Sequence, residues 1–206
     1  DHQPLDYRCI NIERDVFQKA AREIAGDCSA PVFSQAVVFH SDLVYELKEL
    51  HAMILRGETG VRKEERFYFL LEQLLSCYAQ TNPQQPPEQR REVRAVCDYL
   101  KQHYAETVSL DALSALAGLS KYHLLRAFTR ETGITPYSYL ETIRIDRAKA
   151  LLRLDVPPAQ AAQETGFSDQ SHFSNTFKRF IGLTPGQYRG IFSVEPAQNK
   201  EEQDES

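Results

Sequence analysis

Arg126 and Asn175 are the side chains of this sequence best equipped for pattern-specific hydrogen bonding. They stand in two related stretches, "GLSKYHLLRAFTRETG" (118–133) and "GFSDQSHFSNTFKRF" (166–180). A guanidinium can offer two N–H groups to guanine O6 and N7, and a carboxamide can pair with adenine N6 and N7, so both suit the reading of base edges in a duplex groove. Their neighbours fit the same chemistry. Leu124 with Phe128, and Phe173 with Phe177, make an i, i+4 apolar stripe in each stretch. If those stripes face a core, a turn of 100° per residue points Tyr122, Arg126 and Thr129 outward in the first, with Leu125 on the flank. In the second, Ser171 and Asn175 point outward, flanked by Gln170 and His172. Tyr122 and Leu125 can meet thymine methyl groups, and Gln170 has the same adenine-pairing amide as Asn175. Ser174 and Lys178 suit phosphates, which give affinity and register without sequence information. The plainer alternatives are a solvated surface arginine at 126 and a neutral surface histidine at 172. An arginine discriminates more strongly than serines do, so the first stretch is expected to be the more stringent reader.

The elements that must hold these side chains are visible in the repeat. Gly118 and Gly166 are 48 residues apart, whereas "GITP" (133–136) and "GLTP" (182–185) are 49 apart, so the second copy has one extra residue. Glycine accepts the left-handed conformation that ends a helix. Ser120 and Ser168 follow two residues later, each able to cap a new helix. A helix that stops at Gly and restarts at Ser has turned sharply, which is a helix-turn-helix, expected at about 109–132 and 157–181. Ser114 and Ala162 keep the helix crossing small, and Leu119 and Phe167 plug the turns. Between the copies, "PYSYLETIRIDRAKALLRL" reads as one helix with Pro136 at its start and Leu140, Ile143, Leu151 and Leu154 available to pack. At 1.5 Å per residue it spans roughly 28 Å. Major grooves on one face of B-DNA recur at roughly 34 Å, so one chain can present two second helices to successive grooves. Arg144 and Arg147 are expected to brace this linker helix.

The remainder of the chain frames this unit. Residues 1–87 hold 9 basic and 13 acidic side chains, residues 88–192 hold 14 and 11, and residues 193–206 hold 1 and 5, so the excess positive charge sits with the repeat, as a phosphate-binding surface requires. "TNPQQPPEQ" (81–89) resists regular structure and reads as a linker to a domain at 90–192 that opens with a helix burying Val93, Val96 or Cys97, and Leu100. Upstream, residues 1–80 read as mostly helical. "NIERDVFQKAAREIAG" is one helix capped by Asn11, with Ile12, Val16, Ala20 and Ile24 inward. "SDLVYELKELHAMILRG" is another, opened by Ser41 and burying Leu43, Leu47, Leu50 and Ile54. "VRKEERFYFLLEQLLSCYAQ" is a third, with an apolar face broad enough to need a partner. "YRCINI" is a short strand candidate, which needs a sheet from elsewhere; with the Asp1 start, it points to a piece of a longer protein. Residues 193–206 are expected to be disordered. The fold class is therefore predominantly all-α. No apolar run approaches the roughly 18 residues of a membrane span, and the start has neither a basic nor an apolar leader segment, so a cytoplasmic location is expected. Cys9, Cys28, Cys77 and Cys97 are widely spaced and read as reduced core thiols. His40 and His51 read as structural, and no metal or cofactor is expected.

On these motifs, residues 88–190 resemble the DNA-binding region of the AraC/XylS family of transcription regulators, and "GFSDQSHFSNTFKRFIGLTPGQYR" is close to its most specific signature. The resemblance implies binding of double-stranded DNA, base contacts from the outward positions named above, work alongside RNA polymerase, and activation as the commoner outcome. Residues 1–80 more weakly resemble the helices that follow the cupin-like barrel in sensory domains of such regulators. The barrel, where family members bind small-molecule effectors, has no counterpart here, and a homodimer through helices 41–56 and 61–79 is expected. One departure is "PPAQAAQETG", with Pro158 and Ala161 where the family usually has branched aliphatics, which implies a looser second motif. Two rival readings are a DNA-repair methyltransferase carrying the same module beside a reactive cysteine, and a protein-interaction module. Neither a basic or metal-held thiol nor any other catalytic grouping is apparent in the sequence.

Overall fold

The computed structural model describes residues 10–26, 31, 33, 41, 43–79 and 89–192, and these form ten α-helices and no strand. The fold is all-α. Most of the strand candidate, the proline-rich stretch apart from Gln89, Cys9, Cys28, His40 and the acidic tail lie outside the described residues; residues 10–12 are irregular. The chain divides after Leu140 into two units.

The first unit contains α1 (Arg14–Ala25), α2 (Leu43–Leu55), α3 (Val61–Tyr78), α4 (Arg90–Gln102), α5 (Leu110–Ala117), α6 (Lys121–Thr132) and the opening turn of α7 (Pro136–Arg153). Helix α1 begins after Glu13 and not at Asn11, and it buries Ala20, Ala21, Ile24 and Ala25 while Val16 is exposed. Helix α2 is opened by Ser41, whose hydroxyl accepts the Leu43 N–H at 3.2 Å. It buries Leu50 and Met53 and leaves Ile54 exposed, so its inward face is rotated from the expected one. The broad apolar face of α3 is satisfied within the unit, because α3 packs on α1, α2 and α5. Val93, Val96 and Leu100 of α4 are buried as the periodicity predicts. Cys97 is half-buried, and burial pushes its thiol pKa up. Cys77 is exposed on the outer side of α3, so it is not a core thiol.

The second unit contains the rest of α7, α8 (Pro158–Glu164), α9 (Gln170–Ile181) and α10 (Pro185–Gly190). Ile145, Ala148 and Leu152 of α7 meet Ala161 and Ala162 of α8 and the rings of Phe167, Phe173, Phe177 and Tyr188 in one core. The rings pack in series, Phe167 tilted on Phe173 and the next two pairs edge to face, with centroids 5.1, 5.6 and 5.4 Å apart. That corrects the expectation of looseness: the alanines of "PPAQAAQETG" make room for aromatic volume that aliphatic side chains would otherwise supply. Leu151 is partly buried against this core, but Leu154 lies past the end of α7 and is exposed. The chain turns there through Asp155, a non-glycine residue at φ 64°, held by an Arg189–Asp155 ion pair of 2.7 Å.

Candidate nucleic-acid interface

Both helix-turn-helix motifs are present, α5–α6 and α8–α9. In the first, the Gly118 N–H reaches Ala115 O at 3.2 Å and the Leu119 N–H reaches Ser114 O at 3.0 Å. Gly118 is left-handed at φ 65°, which only glycine adopts without strain. Ser120 then caps α6 by accepting the His123 N–H at 3.3 Å. In the second, Gly166 is at φ 78° and the Phe167 N–H reaches Ala162 O at 3.0 Å. The cap of α9 is Asp169 and not Ser168: its Oδ1 accepts the His172 N–H at 2.7 Å, while the Ser168 hydroxyl donates to Oδ2 at 3.1 Å. This is where the extra residue sits, and it brings α6 and α9 into register at a constant offset of 49 over twelve residues each. The His172 N–H, then burial, then the Ser168 hydroxyl shift the Asp169 pKa, and the net effect is to hold it below the usual carboxylate value.

Helix α9 carries its expected face. Phe173 and Phe177 are fully buried, and Gln170, Ser171, Asn175 and Lys178 are exposed, with Ser174 half-buried beside them. His172 is turned partly inward, its Nε2 3.8 Å from Glu141 Oε1 and its ring against Phe167. Glu141 is itself buried, and its other oxygen accepts from Arg179 Nη2 at 2.7 Å. A carboxylate of α7 thus ties down both ends of α9, a role that sequence spacing does not reveal because the partners lie 38 residues apart. Arg144 is buried with its guanidinium 5.8 Å above the Phe167 ring, which braces α7 as expected, whereas Arg147 is exposed.

Helix α6 differs. Leu124 and Phe128 are buried as expected, but Tyr122 and Leu125 are each only 1% exposed. The Tyr122 hydroxyl donates to Glu72 Oε1 at 3.2 Å, and Arg126 Nη1 lies 3.3 Å from the same oxygen. The Tyr122 N–H points to Glu23 Oε2 at 3.4 Å, and Lys121 Nζ donates to Glu64 Oε2 at 2.9 Å and Asp111 Oδ2 at 2.8 Å. Burial, followed by the Glu72 charge, raises the Tyr122 phenol well above its ordinary range. Thr129, expected to face outward, is half-buried with its hydroxyl enclosed and unpaired. The outward face of α6 is thus real, but α1 and α3 occupy it.

The sequence reading also missed α10. Thr184 accepts the Gln187 N–H at 3.3 Å and the Gln187 side chain accepts the Thr184 N–H at 2.9 Å, a capping box legible in "TPGQ". No group of three ligating side chains that could hold a metal occurs among the described residues, and no helix there is long and apolar enough to cross a membrane.

Two sharply turned helix pairs, each with a capped second helix, define a helix-turn-helix protein, and residues 113–191 match the family model described as "Helix-turn-helix domain". The doubled motif closes on "GFSDQSHFSNTFKRFIGLTPGQYR", the stretch that carries the resemblance to the AraC/XylS regulators. It is 52% identical over 173 residues to the uncharacterized HTH-type transcriptional regulator YbfI of Bacillus subtilis (strain 168), covering 84% of this chain and 63% of the relative. It is 41% identical over 99 residues to an uncharacterized HTH-type transcriptional regulator of Staphylococcus aureus (strain COL), covering 48% of this chain and 13% of that one. Among solved structures, a probable AraC family transcriptional regulator from Rhodopseudomonas palustris CGA009 aligns at TM-score 0.48 and 26% identity, over 50% of this chain and 99% of its own.

Proposed function

We propose that this chain is a transcription regulator that binds double-stranded DNA sequence-specifically, with α6 and α9 as its two reading helices for successive major grooves. The observation that carries this reading is the construction of α9. A rigid aromatic core and a buried Glu141 fix the helix, and its free face offers Gln170, Ser171, Asn175 and Lys178 to solvent. A face that offers amide and hydroxyl groups flanked by a lysine, on a helix held from behind, suits base edges and phosphates together. Ser174 and His172 border that face. In α6, Tyr122, Leu125 and Arg126 are the readers once that face is uncovered. The domain that reads DNA runs over residues 90–192, and residues 1–80 belong to a sensing and dimerising part, joined through 81–89. Exposed Val44, Tyr45 and Leu55 on α2 suit a second copy of the chain. The regulator acts in the cytoplasm, as an activator in contact with RNA polymerase, under a small-molecule effector, and it carries out no catalysis of its own. Selection of bound sequences from a random duplex library tests the reading: an enriched motif is expected, and a folded chain that enriches none even after the face of α6 is uncovered overturns it.

A further inference from the structure

Helices α1 and α3 meet the first helix-turn-helix through a continuous, specific interface. The Val61 N–H donates to Val108 O at 2.9 Å, next to Gly60, where any side chain would place its Cβ 3.0 Å from that same carbonyl oxygen. From this start α3 runs across the motif. Glu64 takes Lys121, and Glu65, almost fully buried, accepts the Tyr137 N–H at 2.6 Å at the opening turn of α7. Arg62 covers the Tyr137 ring at 5.6 Å, and Glu72 takes both Tyr122 and Arg126. Glu23 of α1 faces the N–H at the start of α6.

The groups that these carboxylates engage are those with which a reading helix meets DNA. A helix N-terminus whose N–H has no partner within its own helix, a lysine on its first residue and an arginine one turn on form an anion-binding array. Carboxylate and phosphate oxygens compete for such donors on equal chemical terms. The charge division along the chain agrees, since the acidic residues 1–87 balance the basic residues 88–192.

We propose that α1 and α3 are an autoinhibitory cover on the first reading helix, with Glu23, Glu64 and Glu72 standing where DNA phosphates and base edges would otherwise meet Lys121, Tyr122 and Arg126. The covered chain engages DNA through α9 alone, and removal of α1 and α3 from α6 adds the second half-site. This regulation rests on the DNA-reading assignment of α6 and α9, and the test separates the two.

The test compares the whole chain with its Glu64→Gln/Glu72→Gln variant, each carried through the library selection and then footprinted on a recovered duplex. The wild type is expected to protect one half-site. The variant is expected to bind about tenfold more tightly, as a larger fraction becomes competent, and to extend protection into the adjacent groove. Adding Arg126→Ala should cancel most of that gain, which nonspecific loss of negative charge would not. If the double variant loses helicity, Glu72→Gln alone serves, because its amide oxygen still accepts the Tyr122 hydroxyl. A wild type that already protects both half-sites, or a folded variant with unchanged affinity and footprint, overturns the cover while leaving the DNA reading intact. Enrichment by the variant but not by the wild type supports the cover. Failure of both folded proteins to enrich any duplex overturns the DNA reading itself, and the cover with it.

Discussion

Helices α6 and α9 are two copies of one twelve-residue element in matching register, yet one is closed off and the other is open. Each is capped at its start, ends at a left-handed glycine (Gly133 at φ 78°, Gly182 at φ 83°) and buries an i, i+4 aromatic or aliphatic pair. The difference arises on the opposite side. Tyr122, Leu125 and Arg126 give α6 a face large and apolar enough to be buried by protein, with two cationic groups at its edge for carboxylates. The matching Ser171, Ser174 and Asn175 of α9 offer little apolar area, so covering them would yield little free energy. A side chain able to discriminate bases well is also one that other protein surfaces can capture. On the proposed DNA reading, the side chains better suited to discriminate bases are therefore the ones that protein can occlude, while those of α9 stay open.

The largest expected effect breaks the open copy. Phe177 is fully buried between Phe173 and Tyr188, and Phe177→Ala should cost about 3 to 5 kcal/mol through lost burial and a cavity that the rigid ring series cannot close. Thermal denaturation checks this, and a loss below about 1 kcal/mol would mean the aromatic core does not support α9.

The next prediction reverses a ranking drawn from sequence alone. Spacing and chemistry make Arg126 the stronger reader, but in the whole chain its guanidinium is held by Glu72. Asn175→Ala should therefore weaken specific binding by about 1 to 3 kcal/mol and relax preference at an adenine-containing pair. Arg126→Ala should cost much less in the whole chain, and become costly only after Glu72→Gln. Competition binding on the selected duplex decides it. If Arg126→Ala is the more damaging in the otherwise unaltered chain, α6 is not covered when DNA is bound.

Much of this architecture was legible because helix grammar is local. Gly118, Ser120, Gly166 and Pro136 announce a stop, a start, a stop and a start within three or four residues, and the structure has all four. The repeat names Ser168 as the second cap, and the structure gives that role to the adjacent Asp169 because the extra residue of the second copy falls between Gly166 and the start of α9. The capping box of α10 was present in "TPGQ" but hidden by being read only as the end of the repeat. What no local pattern contains is the partner of a face. Tyr122 lies 50 residues from Glu72, and Arg179 lies 38 from Glu141. Periodicity says which side of α6 is not its own core, and only tertiary structure says whether that side meets solvent or other helices. The same limit explains α2, where the periodicity places Ile54 inward and the structure buries Met53 in its stead.

A smaller effect concerns phosphates. Lys178 is exposed on α9, beside the polar face but off its centre. Lys178→Ala should weaken all duplexes about equally, and reduce the slope of log affinity against log salt by about 0.9, the value for one phosphate contact. Affinities of the selected and a scrambled duplex across a salt series check it. A loss confined to the selected duplex would make Lys178 a base reader instead.

The smallest effect isolates the charge at the start of the open helix. Asp169 caps α9 and is held below its ordinary value of 3.8, chiefly by the His172 N–H. A carboxylate whose folded value is depressed contributes stability that is fully present above 3.8 and lost as pH falls through the lower folded value. Asp169→Asn keeps an oxygen for the His172 N–H but removes the charge at the helix N-terminus, where the macrodipole favours it. Because the group is largely exposed, the expected cost at pH 7 is at the lower end of about 0.3 to 1 kcal/mol. The difference between wild type and Asp169→Asn should shrink towards zero as pH falls below 3.8, since both caps are then neutral. The corresponding change in α6 has no such signature, because Ser120 caps that helix without titrating. Denaturant melts of the two proteins at pH 7 and at about pH 3, below the ordinary carboxylate value, check the sign. A gap that widens on acidification would show that Asp169 acts through something other than its charge on α9.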